Sequence, residues 1–148
     1  MISDTKEQEV EVQGQIGEIL IGEGNGRITS MKNLEKGRVQ MIGVTTGLIL
    51  GEPYMCDARI EAQYRPDKSC HVEMEATVTL VMTQTVIPLK ALGSGMLFED
   101  GSQAWRGVFC GSFPPGKLDV LNRCPIPYLI SASPDHIFTL KMWEWKWD

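Results

Sequence analysis

From Tyr54 to Tyr64 apolar and polar side chains alternate: Tyr54, Cys56, Ala58, Ile60, Ala62 and Tyr64 share one parity, and Met55, Asp57, Arg59, Glu61 and Gln63 the other. The same period resumes at Cys70, where Val72, Met74, Ala76, Val78, Leu80 and Met82 are set against His71, Glu73, Glu75, Thr77 and Thr79. Successive side chains of a strand point to opposite faces, so both arms read as half-buried strands joined by Arg65-Pro66-Asp67-Lys68-Ser69. Facing Tyr64 with Cys70 brings Ile60 opposite Met74, Ala58 opposite Ala76 and Cys56 opposite Val78, and on the wet face Arg59 opposite Glu75. One register therefore suits both faces, whereas a slip of one residue would expose the whole apolar row.

A second hairpin runs from Ala91 to Phe98, through Glu99-Asp100-Gly101-Ser102, and back from Gln103 to Phe113; its Asp-Gly supplies the positive φ of a tight turn. Ile16 to Met31 and Arg38 to Leu50 read as strands joined near Glu35-Lys36-Gly37, and His136 to Trp147 as a last strand. Glycines recur inside these strands, at Gly22, Gly24 and Gly26, at Gly43 and Gly47, at Gly93 and Gly95, and at Gly107 and Gly111. Interior glycine marks bulges, bends and close backbone approach, and its repetition predicts a sheet coiled tightly enough to close. The best helical segment, Lys117 to Arg123, lies between Pro115-Gly116 and Pro125 and has room for two turns at most. The expected fold is all-β: a single small antiparallel up-and-down barrel of about eight strands with one short helix, over residues 14–148. A flexible acidic arm is expected over residues 1–13.

The length of 148 residues fits one domain. The net charge is −5 and the basic residues are scattered singly, so the counterion release that drives nucleic-acid binding is missing and no nucleic-acid partner is expected. No apolar run approaches the roughly 20 residues of a spanning helix, so no membrane partner is expected either. The acidic start MISDTKEQEVEVQ has no export signal, which predicts a cytoplasmic protein. Cys56, Cys70, Cys110 and Cys124 form no CxxC pair and read as free thiols.

Several reaction types lack their residues. There is no GxxxxGK[ST] phosphate loop, and Gly22-Glu23-Gly24-Asn25-Gly26 is followed by no helix that would present its N-terminus to a phosphate. Neither His71 nor His136 has a partner at metal-ligand spacing, so no metal and no cofactor are expected. Ser133-Pro134-Asp135-His136 has the letters of a catalytic triad but reads as a hairpin loop.

The informative feature is the dry row itself, which mixes Tyr54, Tyr64, Met74 and Met82 with cysteines and alanines. Small side chains leave room, methionine adapts to an irregular guest, and a buried tyrosine needs a hydrogen-bond partner. Cys56, Tyr64, Met74 and Met82, with Met41, Trp105, Phe109 and Trp143 from other strands, are the candidate ligand-binding residues. A solid core of alternating small and large residues would produce the same pattern. Trp143, Trp145 and Trp147 share a face opposite Phe138, Leu140 and Met142, so either the arm or a partner subunit covers the last strand, which allows a homodimer, or a bulge shifts its phase. In the first strand Glu23, Asn25 and Arg27 share parity with Ile19, Ile21 and Met31. An unbroken strand would put them inside, where a carboxylate's pKa would rise toward general-acid use; a bulge at the glycines would return them to solvent.

Gly22-Glu23-Gly24-Asn25-Gly26-Arg27-Ile28-Thr29, the hairpin Glu99 to Gly107 and the ending Lys141-Met142-Trp143-Glu144-Trp145-Lys146 resemble segments of a group of small bacterial and archaeal β-barrels. That group is similar to the calycin-like barrel of allene oxide cyclases, and shares its architecture with the barrels that catalyse cycloadditions in spirotetronate biosynthesis. Glu23 and Asn25 look like the glutamate and asparagine that allene oxide cyclases carry in the first strand. The resemblance, taken with the lining, implies a cyclase or isomerase that folds a hydrophobic, partly oxygenated small molecule. Glu23 and Asn25 enter through the resemblance, Arg27 and Tyr54 through the lining, with Glu23, Arg27 and Tyr54 as the expected catalytic residues and Asn25 against the ligand. A lipocalin-like binding protein without chemistry, or an oligomeric interaction module, fits the residues as well.

Overall fold

The structure, a computed structural model, describes residues 15–123 and 125–146; the expected arm over residues 1–13, Cys124 and Trp147 lie outside the described residues. Eight strands close into one barrel in chain order: β1 (Gln15–Asn33), β2 (Arg38–Ile49), β3 (Glu52–Tyr64), β4 (Ser69–Leu80), β5 (Val86–Leu97), β6 (Gln103–Gly111), β7 (Ile126–Ala132) and β8 (Ile137–Lys146). Each pairs antiparallel with the next, and β8 closes on β1. The β3–β4 ladder has the register that both faces demand, with Tyr64 facing Cys70, Ile60 facing Met74 and Cys56 facing Val78. Outside, Arg59 and Glu75 form an ion pair of 2.7 Å.

Proline explains where sequence reading misplaces elements. Pro125 and Pro127 look like helix stops, yet Ile126, Tyr128 and Ile130 alternate inward along β7. Pro127 is tolerated because it pairs with Val108 on β6, while pairing with β8 begins only at Tyr128. β5 starts at Val86 rather than Ala91; its Pro88 faces Thr77 on β4 and precedes Leu89, the first residue to meet β6. The expected helix is one short 3-10 segment, Asp119–Arg123.

The strands are steeply staggered. Followed once round the barrel, the ladder passes from Gly22 through Met142, Tyr128, Gly107, Gly93, Val72, Ala62 and Val39, and returns to β1 at Asn33. Such stagger tilts the strands and widens the lumen to the range in which eight strands either pack solid or hold one small guest. One end of the barrel carries four short loops. The other is closed by the β6–β7 connection, which buries Phe113 and Leu118.

The halves β1–β4 and β5–β8 repeat one design. Leu34-Glu35-Lys36-Gly37-Arg38 matches Phe98-Glu99-Asp100-Gly101-Ser102, and Arg65-Pro66-Asp67-Lys68-Ser69 matches Ser133-Pro134-Asp135-His136-Ile137. In all four loops the first residue's N–H donates to the fifth residue's carbonyl, at 2.8 to 2.9 Å. Inside, the rung Gly24–Gly47–Tyr54 is answered by Gly93–Gly107–Tyr128. Each tyrosine spans the middle glycine and sets its hydroxyl against the outer one, covering with a ring the groove that two missing side chains leave.

The loops make two predictions. Lys68 holds φ +74, as His136 of its matching loop holds φ +69, where the β5–β6 loop of the same form places Gly101 at φ +92, a left-handed conformation that a Cβ disfavours. Lys68→Gly is expected to stabilise the barrel by about 0.5 kcal/mol, read as a raised urea midpoint. Asp67 accepts from the Ser69 N–H at 2.9 Å and hydroxyl at 2.6 Å, and Asp100 does the same with Ser102. These bonds hold both carboxyls below the usual carboxylate range. A carboxyl depressed by folding stabilises above its unfolded pKa of about 3.9 and loses that contribution as pH falls through the folded value. Melting temperature should therefore fall below about pH 4, and less steeply in the Asp67→Asn, Asp100→Asn double variant. An equally steep fall in that variant would place the acid-sensitive groups elsewhere.

Candidate functional site

The inward faces of all eight strands meet in one apolar cluster, with Met41, Met74, Trp105, Phe109, Tyr128, Phe138 and Met142 among its buried members. Most of the lumen is filled by this packing. The exception is a patch of small residues on three adjacent strands, where Gly43 faces Ala58 and Ala58 faces Ala76, and on the next rung Thr45 faces Cys56. Cys56 and Ala58 point inward by strand alternation yet are only half-buried. A methyl added at Gly43 would meet Ile60 Cδ1 at 3.4 Å, and Ile28 Cδ1 and Phe138 Cε2 at 3.6 Å, which are ordinary contacts. Small side chains on three adjacent strands, with Cys56 and Ala58 only half-buried, are what separate this wall from the rest of the lumen.

The polar groups facing the lumen are neutral. Thr45 is the only buried polar residue among those described. Tyr54 donates to the Glu23 carbonyl at 3.4 Å; Tyr64 donates to the Gln103 side-chain oxygen, which also accepts from Trp105 Nε1 at 3.1 Å. Burial, with smaller contributions from nearby Cys56 and Glu23, pushes the Tyr54 hydroxyl far above its ordinary value. Burial likewise raises Tyr128, lifts Tyr64 to about 12 and lifts the Cys56 thiol to about 12. At neutral pH the lumen thus holds protonated hydroxyls and thiols and, among the described residues, no charged acid, base or thiolate.

Several expected site residues lie elsewhere. Glu23, Asn25 and Arg27 are exposed, while Gly22 and Gly24 take the inward positions beside them. Register shifts between Ile16 and Leu20 and between Leu20 and Gly22 change the strand's phase, so that Ile19 faces out and Ile21 in. The expected acid and guanidinium are therefore on the outer wall. Met82 is 75% exposed, because β4 ends at Leu80 and the chain turns there. Trp143 points away from the lumen, since Phe138, Leu140 and Met142 occupy the inward face of β8. The other candidates, Met41, Tyr54, Cys56, Tyr64, Met74, Trp105 and Phe109, do face inward. Tyr128, Phe138, Thr45 and Gln103 also face inward and were missed. The Ile126-Tyr128-Ile130 alternation carried the signal for Tyr128 but was masked by its prolines.

Two clefts lie outside the lumen. One of about 750 Å³ crosses the outer wall, with Lys32, Arg59, Glu61, Glu75, Lys90 and Leu92 along it. Its charges compensate one another in solvent, where such pairs contribute little. The second, about 130 Å³, lies between Leu121 and Arg123 on one side and Trp143 and Trp145 on the other. The β6–β7 connection thus faces Trp143 and Trp145 across this cleft, while the arm that the sequence suggested as a cover lies outside the described residues.

No family model, curated protein or solved structure matches this chain. Its function has to be argued from the lumen. Among the described residues no helix is long and apolar enough to cross a membrane, and no group of three or more His, Cys, Asp or Glu is placed to hold a metal ion.

Proposed function

We propose that the protein binds one apolar, partly oxygenated small molecule inside the barrel, its body against the wall formed by Gly43, Thr45, Cys56, Ala58 and Ala76. The observation that carries this reading is the half-buried state of Cys56 and Ala58 in mid-strand of a closed barrel, beside a glycine with room for a methyl. A solid core at native density leaves no such room. Access is from the end with the four loops, since Phe113 and Leu118 fill the other.

Binding is favoured over acid–base catalysis because Glu23 and Arg27 are on the outer wall. A second reading, cyclisation or isomerisation of the guest, draws support from the protonated hydroxyls of Tyr54 and Tyr64, which can polarise an oxygen by exchanging their present acceptors, the Glu23 carbonyl and the Gln103 side chain, for the guest while the walls hold a reactive conformation. Native mass spectrometry of protein purified from its own host tests the main reading. One released apolar molecule per chain, of unchanged mass after incubation, is expected; a changed mass would favour the second reading. A chain that carries nothing and takes up no neutral apolar probe would overturn both.

A further inference from the structure

The repeat offers an internal control for each lumenal residue, and the two tyrosines differ under it. Tyr54 and Tyr128 occupy matching places, each reaching over a glycine to abut another. Tyr54 ends in a hydrogen bond to the Glu23 carbonyl. Tyr128, only 2% exposed, has a buried hydroxyl with no partner. Of the lumenal side chains among the described residues, it alone has such an atom, because Tyr64 and Trp105 both donate to Gln103. A buried hydroxyl without a partner is unfavourable, and phenylalanine would fill the space without that cost. Phe109, whose ring lies 4.6 Å from that of Tyr128, lines the same part of the lumen with no polar atom on its side chain.

We infer that the Tyr128 hydroxyl is the polar anchor of the lumenal site, donating a hydrogen bond to a neutral acceptor oxygen of the guest. This rests on the reading of the lumen as a binding site. Among the described residues no buried cation is present to compensate a carboxylate, so a ketone, ester or lactone oxygen fits and an ionised acid does not. The hydroxyl abuts Gly93, which faces Val72 on β4, whereas the small-residue wall reaches β4 at Ala76. Four residues of strand span about 13 Å. The guest is therefore elongated, with its oxygen at one end and its apolar body at the other.

The test is a calorimetric titration of the full chain with 2-undecanone, undecane and undecanoate, repeated with Tyr128→Phe. The wild type is expected to prefer the ketone. The variant should lose about tenfold in ketone affinity, bind the alkane unchanged, and melt, without ligand, no lower than the wild type. A ketone preference that survives in the variant would overturn the anchor and leave the lumenal reading intact. A variant that melts lower would show that a water or a carbonyl already partners the hydroxyl, and would overturn it too. A wild type that binds neither ketone nor alkane would refute the lumenal reading itself.

Discussion

Gly47→Ala and Gly107→Ala should each destabilise the barrel by about 3 kcal/mol or more, whereas Gly43→Ala should be neutral or stabilising by up to about 1 kcal/mol. All three glycines lie on inward positions of long strands, so propensity does not separate them. What separates them is the neighbour that a methyl would meet. At Gly47 it would run into the Glu23 carbonyl and lie 2.6 Å from Gly24 Cα; at Gly107 it would run into the Leu92 carbonyl and lie 2.6 Å from Gly93 Cα. Backbone cannot rotate aside, so the ladder itself has to open. At Gly43 the neighbours are side-chain ends at ordinary contact distance, and the loss of unfolded-state entropy works in the variant's favour. Urea unfolding of the three variants decides the matter. Similar losses at Gly47 and Gly107 would support the repeat, and a loss at Gly43 as large as theirs would show that the wall has no spare room.

Ala58→Phe is expected to abolish uptake of a neutral apolar fluorophore such as N-phenyl-1-naphthylamine while leaving a folded barrel. The ring enters a region bounded by Gly43 and Ala76, its two cross-strand neighbours. Overpacking should cost about 1–3 kcal/mol, within what a single domain can lose and stay folded. Glu23→Gln, on the outer wall, should leave uptake unchanged. Uptake that persists in Ala58→Phe would locate the probe elsewhere, and loss of uptake in Glu23→Gln would bring the first strand back into the site.

The β3–β4 hairpin was legible down to individual pairs because alternation, loop and cross-strand chemistry agree on one register, with Arg59 and Glu75 as the check on the wet face. Closure of the sheet was legible from the glycines. The first strand was not, since its phase depends on bulges near Leu20 and Gly22, and a bulge changes parity without changing composition. Of the two placements left open for Glu23 and Arg27, the unbroken strand that would put them inside failed there for that reason, and they face solvent. Tyr128 was hidden by Pro125 and Pro127, whose effect depends on which neighbour needs the missing N–H, a tertiary fact. Met82 shows the opposite limit: parity continues in the sequence after the strand has ended.

The most direct measurement is a crystal of the full chain pressurised with xenon, which enters dry apolar cavities. The account predicts a xenon atom inside the barrel in contact with Gly43, Ala58 and Ala76. Xenon found only on the outer surface, with Ala58 closed over by side chains from the opposite wall, would contradict it.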